Sequence, residues 1–272
     1  MSQQEGRLES KWVTVNGLSM HFRASVDPVP GDEPVVVLVH GLSVSSGYMV
    51  PTAVRLAPYY RVYAPDLPGF GKSTKPAHIL TIAELADALA AWMQAIGLPS
   101  AVLIGNSLGC QIIVNFALRY PERITHAVLI GPTMDPRART LPRATLRLLR
   151  DAPREPLSYM PVLVREYVAA GIRRTVRTLQ SGFRDPMEEH LTRMHIPTLV
   201  VRGAHDPIAP QDWVEEVTRL LPAGQLVVVP GAGHAVNFNS PARLVNVFRS
   251  FMNMSEAQEK DVTLPSVARN VE

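Results

Sequence analysis

The stretch Ala101 to Phe116, "AVLIGNSLGCQIIVNF", is apolar at both ends and broken by Gly105-Asn106-Ser107-Leu108-Gly109. A buried strand running into a buried helix has no packing use for a hydroxyl at the junction. The Gly-x-Ser-x-Gly spacing fits a nucleophile elbow: strand, tight turn, helix, with the serine oxygen lifted above the sheet and the positive end of the helix beneath it. A serine hydroxyl is a weak nucleophile at neutral pH and needs a base, normally a histidine, which in turn needs an acid to fix its tautomer.

Eight histidines are available. His234, in "VVVPGAGHAVNFNSP", follows the last strand-like run in a glycine-containing loop from which an imidazole can reach over a sheet end. His21, His78, His126, His190 and His195 read as surface or structural residues. His205 is adjacent to an acid and is harder to dismiss, but its side chain is expected to point away from whatever that acid faces. The acid is Asp206, at the end of "PTLVVRGAHDPIAP"; Asp135, in "VLIGPTMDP", also follows a strand end and is the alternative. The order Ser107, Asp206, His234 is that of a triad on an α/β sheet. Two backbone N–H groups are needed for the oxyanion of a tetrahedral intermediate. Leu108, after the serine, and Leu42, in His40-Gly41-Leu42, are the candidate oxyanion hole, with His40 orienting the loop. "DLPGFGKST" (Asp66 to Thr74) looks like the end of a phosphate-binding loop. Asp66 stands where that pattern requires a glycine and Pro76 prevents an immediate helix, so it reads as a structural turn.

The elements that must carry these residues alternate. "PVVVLVH" (Pro34 to His40) is continuously apolar, as a strand buried on both faces of a parallel sheet should be. Similar runs recur at "YRVYAPD", "SAVLIGN", "THAVLIG", "PTLVVRG" and "QLVVVPG", separated by helical patterns such as "TIAELADALAAWMQAIG". Strand and helix in alternation predict a doubly wound α/β sheet. "KWVTVNGLSMHF" predicts a hairpin turning at Asn16-Gly17. The alternation lapses between Pro136 and Ile196, where about 60 residues read as helix cut by prolines, too many for one crossover. Ligands in open α/β sheets bind beyond the carboxyl ends of the strands, so an insertion there forms a lid. The expected layout is an α/β core in two parts, 1–134 and 196–254, a helical cap over 135–195, and a tail without regular structure over 255–272.

The chain has 272 residues, 46% of them hydrophobic, and a net charge of +3. Its 135–195 segment holds twelve arginines, no lysine and seven acids, a net +5. Few aromatics and no nucleic-acid motif argue against nucleic acid as a partner. Arg143, Arg147 and Arg150 are expected to face solvent on one side of a helix. Cys110, the single cysteine, lies in an apolar helix without a nearby Lys or Arg and is expected to be an inert buried thiol. No apolar run approaches the length of a membrane span, and the polar start has no secretory core. A cytoplasmic protein without stable membrane association is expected.

With "HGL", "DLPGFGKS", "GNSLG", "RGAHDP" and "GAGH" in that order, the chain resembles the α/β-hydrolase superfamily over about residues 12 to 252. The resemblance implies an eight-stranded, mostly parallel sheet with helices on both faces, a helical cap, and neither metal nor organic cofactor. Epoxide hydrolases and haloalkane dehalogenases of this fold carry aspartate at the elbow, where this chain has Ser107. A serine with two oxyanion donors points to hydrolysis of a carboxylic ester, or a related lactone or thioester, of a small apolar substrate. Hydrolases of carbon–carbon bonds in ring-fission products commonly have an aromatic residue after the histidine, where this chain has Ala235. Perhydrolase or haloperoxidase chemistry and a small-molecule receptor role share the same triad. In the cap, Leu141, Leu146, Leu149, Met160, Leu163, Val164 and Tyr167 offer apolar faces to the core or to a substrate.

Overall fold

The computed structural model describes residues 5–263 except 28, 30–32, 152, 154 and 156–159. Its centre is an eight-stranded sheet in the order β1-β2-β4-β3-β5-β6-β7-β8. β1 (Leu8–Val15) and β2 (Leu18–Ser25) form the expected hairpin, Val15 opposite Leu18, and β2 pairs antiparallel with β4 (Arg61–Pro65). β3 (Val35–Val39), β5 (Ala101–Asn106), β6 (Ile124–Ile130), β7 (Thr198–Gly203) and β8 (Gly224–Val229) continue the sheet in parallel from β4.

Side chains alternate across a strand, so each central strand feeds two cores. Val35, Val37 and Val39 belong to one, together with Leu103 and Leu129; Val36 and Leu38 belong to the other, with Val102, Ile104 and Val128. The first core is closed by α2 (Ile82–Ala95), α3 (Leu108–Arg119) and α8 (Gln211–Leu220), through the buried Trp92, Phe116 and Trp213. The second is closed by α1 (Ser46–Leu56) and α10 (Pro241–Thr263), through Met49, Leu56, Phe248 and Phe251. This double burial is why β3, β5, β6 and β7 read as unbroken apolar runs instead of alternating ones. α2 starts with a reciprocal capping box: the Thr81 hydroxyl accepts from the Glu84 N–H, and the Glu84 carboxylate accepts from the Thr81 N–H.

Between β6 and β7 lie α4 (Leu141–Asp151), α5 (Met160–Ala170), α6 (Ile172–Arg184) and α7 (Met187–Leu191), the helical cap insertion. Pro142 and Pro161 do not interrupt helices; each stands in the first turn of one, where its missing N–H costs nothing. α7 behaves differently from the rest of the 135–195 segment, because Met187 and Leu191 are fully buried in the core that α3 and α8 close. The tail expected from residue 255 also differs, since α10 continues to Thr263 through helix-favouring Glu, Ala, Gln and Lys. Residues 264–272 lie outside the described residues. No described helix is long and apolar enough to cross a membrane.

One buried carboxylate holds the loops that leave β3 and β4. Asp66 accepts from the Ser46 N–H at 2.7 Å, from the Lys72 N–H at 2.8 Å and from the His21 imidazole at 2.8 Å. Burial opposes its charge, but the His21, Lys72 and Ser46 hydrogen bonds outweigh that and hold it at about 2. A carboxylate depressed in the folded state contributes stability above its ordinary range, lost as pH falls through the folded value. The shift corresponds to about 2 kcal/mol. Asp66→Asn should therefore lower unfolding free energy by about 2 kcal/mol near neutrality, with the difference closing as pH falls from about 4 to about 2. Urea unfolding of both proteins across that range checks this; a gap constant with pH would mean that the lost charge is not the cause.

Candidate active site

The turn between β5 and α3 is a single residue. Ser107 has φ 57° and ψ −121°, a conformation an L-residue adopts only under constraint. Its N–H donates to the Ile130 carbonyl at 2.9 Å, pinning the turn to the end of β6. A Cβ at Gly109 would stand 2.5 Å from the Val39 oxygen and 2.9 Å from that of His40, so only glycine lets the first turn of α3 pack on the end of β3. Asn106, just before the serine, is buried: its amide donates to the carbonyls of Ile130 and His234, both at 3.3 Å, and its oxygen accepts from the Tyr48 hydroxyl at 3.0 Å. It ties the serine turn to the histidine loop. The sequence carried one signal for it, a polar residue closing an otherwise apolar strand.

His234 and Asp206 come from loops after adjacent strands, β8 and β7. Their side chains meet, Nδ1 of His234 lying 2.8 Å from Oδ2 of Asp206. The other oxygen of Asp206 accepts from the N–H groups of Ile208 at 2.8 Å and Ala209 at 3.0 Å, which fixes the carboxylate plane. With Nδ1 donating, Nε2 is left as the free nitrogen; it is buried and has no hydrogen-bond partner among the described residues. Burial works against the charged imidazolium, but the carboxylates of Asp206, Asp151 and Glu155 outweigh it and raise His234 to about 9. Gly131, at the end of β6, makes room for the pair. A Cβ there would lie 2.9 Å from the imidazole and 3.0 Å from the Asp206 carboxylate.

Ser107, His234, Gly41, Leu42 and Leu108 all line one cavity of about 350 Å³, with Asp206 packed behind the imidazole. The β3–α1 loop that carries Leu42 is held from two sides, by Asp66 at Ser46 and by His40. The His40 ring donates from Nδ1 to the Gly41 carbonyl at 2.9 Å and accepts the Leu67 N–H at Nε2 at 3.0 Å. This needs a neutral ring, and burial lowers its pKa accordingly. A histidine so engaged holds a loop and has no nitrogen left to act as a base.

The other candidates fall elsewhere. His21 is bonded to Asp66, His78 to Glu84, and the His126 ring packs on Phe251; His205 is exposed. Asp135 does not meet His234. Its carboxylate accepts from Arg137 Nε at 2.8 Å and Arg147 at 2.7 Å. Those arginines hold it below the usual carboxylate range against the cost of burial. Arg147 therefore departs from the expectation for the cap arginines. It is mostly covered, bonded also to the Ile208 carbonyl at 3.2 Å, and lines the cavity, whereas Arg143 and Arg150 are exposed. The helix spacing of these residues was legible, but a buried acid one strand end away was needed to turn one of them inward. Cys110 is buried, and burial drives its thiol far upward, as suits an inert residue.

The cap supplies the apolar walls: Met160, Leu163, Val164 and Tyr167 from α5, Leu179 and Phe183 from α6. Leu141, Leu146 and Leu149 instead stand exposed on α4. Chemically, the arrangement offers a raised hydroxyl, an imidazole with a fixed tautomer and an apolar chamber around both.

The strain at Ser107 gives a test independent of any substrate. Ser107→Gly should gain about 1 kcal/mol of stability by removing the penalty for a side chain at positive φ. Ser107→Ala, which keeps a Cβ, should not gain it. Urea unfolding of the three proteins reads this directly, and equal stabilities would mean the turn is relaxed.

A family model described as the alpha/beta hydrolase family matches residues 36–247. Carboxylesterase YbfK of Bacillus subtilis is 29% identical over 242 residues, which cover 82% of this chain and 81% of that protein. The crystal structure of that carboxylesterase, CesB (YbfK), aligns with a TM-score of 0.72 at 28% identity, over 92% of this chain and 93% of its own. A thermophilic esterase from Thermogutta terrifontis aligns with a TM-score of 0.75 over 90% of this chain and 98% of its own; at 24% identity that likeness is one of fold.

Proposed function

The chain belongs to the α/β-hydrolase family, and we propose that within it Ser107, His234 and Asp206 form a catalytic triad that hydrolyses a carboxylic ester, or a related lactone or thioester, of a small, largely apolar substrate. The observation that carries this reading is the single cavity shared by a strained, raised serine and a histidine whose Nδ1 is held by Asp206 while Nε2 is left open. The carboxylesterase YbfK among its relatives favours the same reaction class.

In this mechanism Nε2 of His234 takes the Ser107 proton as Oγ attacks the acyl carbon, and the carbonyl oxygen becomes an oxyanion facing the N–H groups of Leu108 and Leu42. Asp206 stabilises the imidazolium that results. His234 then gives the proton to the leaving alkoxide, the C–O bond breaks, and an acyl-Ser107 ester remains. Water, deprotonated by His234, attacks that ester and releases the acid, returning the proton to Ser107. The α5 and α6 side chains supply an apolar chamber suited to an acyl or alkyl group, not to a highly charged ligand. The enclosure by the cap limits its size.

Ser107→Ala should lower kcat for a p-nitrophenyl ester by on the order of 10³-fold or more while the circular dichroism spectrum is unchanged. A serine-directed phosphonate should modify the wild-type chain at Ser107, seen by peptide mass. Asp206→Asn should be nearly as damaging, because the amide favours the wrong imidazole tautomer, whereas Asp135→Asn should have a mild effect. Full activity in folded Ser107→Ala, or the reverse ranking of the two acids, would overturn the assignment. Stoichiometric labelling without turnover of esters graded by chain length would point to a receptor.

A further inference from the structure

His234 is followed by a four-residue helix, α9 (Val236–Asn239). The first N–H groups of any helix lack partners within it and must find acceptors elsewhere. The segment around α9 has no Ser, Thr, Asp or Asn at Ala235 to supply one locally. The Val236 N–H donates to the His234 carbonyl and the Phe238 N–H to that of Ala235; the Ala235 N–H, with the groups beside it, finds its acceptor in the cap. Glu155 Oε1 accepts from the Ala235 N–H at 2.9 Å and its Oε2 from the Asn239 side-chain amide at 3.0 Å, while Asp151 Oδ1 accepts from the His234 N–H at 3.4 Å. Both carboxylates are buried, and both line the cavity beside His234.

We propose that Asp151 and Glu155 are positioning residues through which the cap holds the His234 loop and brings two buried carboxylates beside it. The proposal rests on the reading of His234 as the base. Two carboxylates buried beside one imidazole act on it across a medium that screens poorly, so their charges count for more than they would at the surface. The charged groups facing His234 are Asp206 from the β7 loop, Asp151 from the end of α4 and Glu155 beyond it. Arg147 and Asp135 also line the cavity but are bonded to each other. Burial pushes Asp151 itself up to about 7, with Glu155 and Asp206 adding to the rise and His234 opposing it. Above that pH Asp151 is ionised and favours the imidazolium.

The consequence has a definite sign. A general base must be neutral, and His234 is raised to about 9, so activity should climb with pH through that value. Removing either cap charge while keeping an acceptor should lower the midpoint and bring activity to lower pH. These two carboxylates come from the cap, so the base acquires their share of its strength only when the cap is seated on the core.

The test uses the full chain and two isosteric variants, Asp151→Asn and Glu155→Gln. Histidine labelled with ¹³C at Cε1 gives the His234 titration by NMR, its signal identified by loss in His234→Gln. In parallel, the pH dependence of kcat/KM is measured on a neutral p-nitrophenyl ester. The midpoint should fall by about one pH unit in each variant in both measurements. Glu155→Ala, which removes the acceptor as well, should also lower the high-pH plateau of kcat by about tenfold, a larger loss than in Glu155→Gln, which retains one acceptor for the Ala235 N–H. An NMR midpoint unchanged in both isosteric variants overturns the proposal. If one variant does not fold, the other decides alone. An NMR midpoint that falls while the rate profile stays put upholds the charge coupling and instead overturns His234 as the base.

Discussion

The hydrogen bond between Asp206 and His234 joins loops that leave two neighbouring strands, and much of the molecule is arranged so that it can form. Parallel pairing puts the carboxyl ends of β7 and β8 on the same edge of the sheet. Backbone N–H groups of Ile208 and Ala209 hold one carboxylate oxygen, leaving the other for the imidazole. Gly131 at the end of β6 keeps the space between them empty of side chain. The pair is buried, and a buried carboxylate without partners would cost several kcal/mol. Each of these contacts is therefore part of what permits the charge to be there at all.

The serine side of the cavity obeys a second constraint, close backbone approach. The turn at Ser107 is tied to β6 through Ile130, and Asn106 continues that tie to the carbonyl of His234. Opposite it, the loop bearing Leu42 is held by the His40 ring and by Asp66, whose three hydrogen bonds reach into β2, α1 and the turn after β4. The Gly71-Lys72-Ser73 segment is thus structural, since the Lys72 N–H and the Ser73 hydroxyl help enclose the Asp66 segment instead of receiving a phosphate. Rigid loops on a rigid sheet are what allow a hydroxyl, an imidazole and backbone donors to share one small volume.

The cap is built on a different balance. Its net positive charge is largely an exposed feature of α4 and α6, but Arg147 is drawn inward by Asp135 and becomes part of the cavity wall. Gln111 and Asn115 on α3 bond Asp185 at the end of α6, at 2.9 Å each, so the cap is fastened to the core at that end by polar contacts. At the other end, Asp151 and Glu155 reach the histidine loop. Between these attachments α5 and α6 contribute apolar side chains to the cavity wall, of which Leu163 and Tyr167 also pack against the core.

By itself, the sequence determined the strands and their double burial, because apolar runs such as Val35–Val39 suit only a sheet covered on both faces. It also determined the order of serine, acid and histidine, because each stands next to such a run. The hairpin at Asn16-Gly17 and the insertion after β6 were legible for the same local reason. What tertiary structure alone decided are the contacts between segments far apart in the chain. The sequence preferred Asp206 to Asp135, but only the folded chain shows the His234 ring on Asp206 and the Asp135 carboxylate on Arg137 and Arg147. The inward turn of Arg147, the burial of α7 and the role of Gly131 followed from packing against distant elements. The approach of Asp151 and Glu155 to His234 spans about 80 residues of sequence. Periodicity and local spacing report on neighbours within a few residues, and carry no information on a contact closed across a loop of that length.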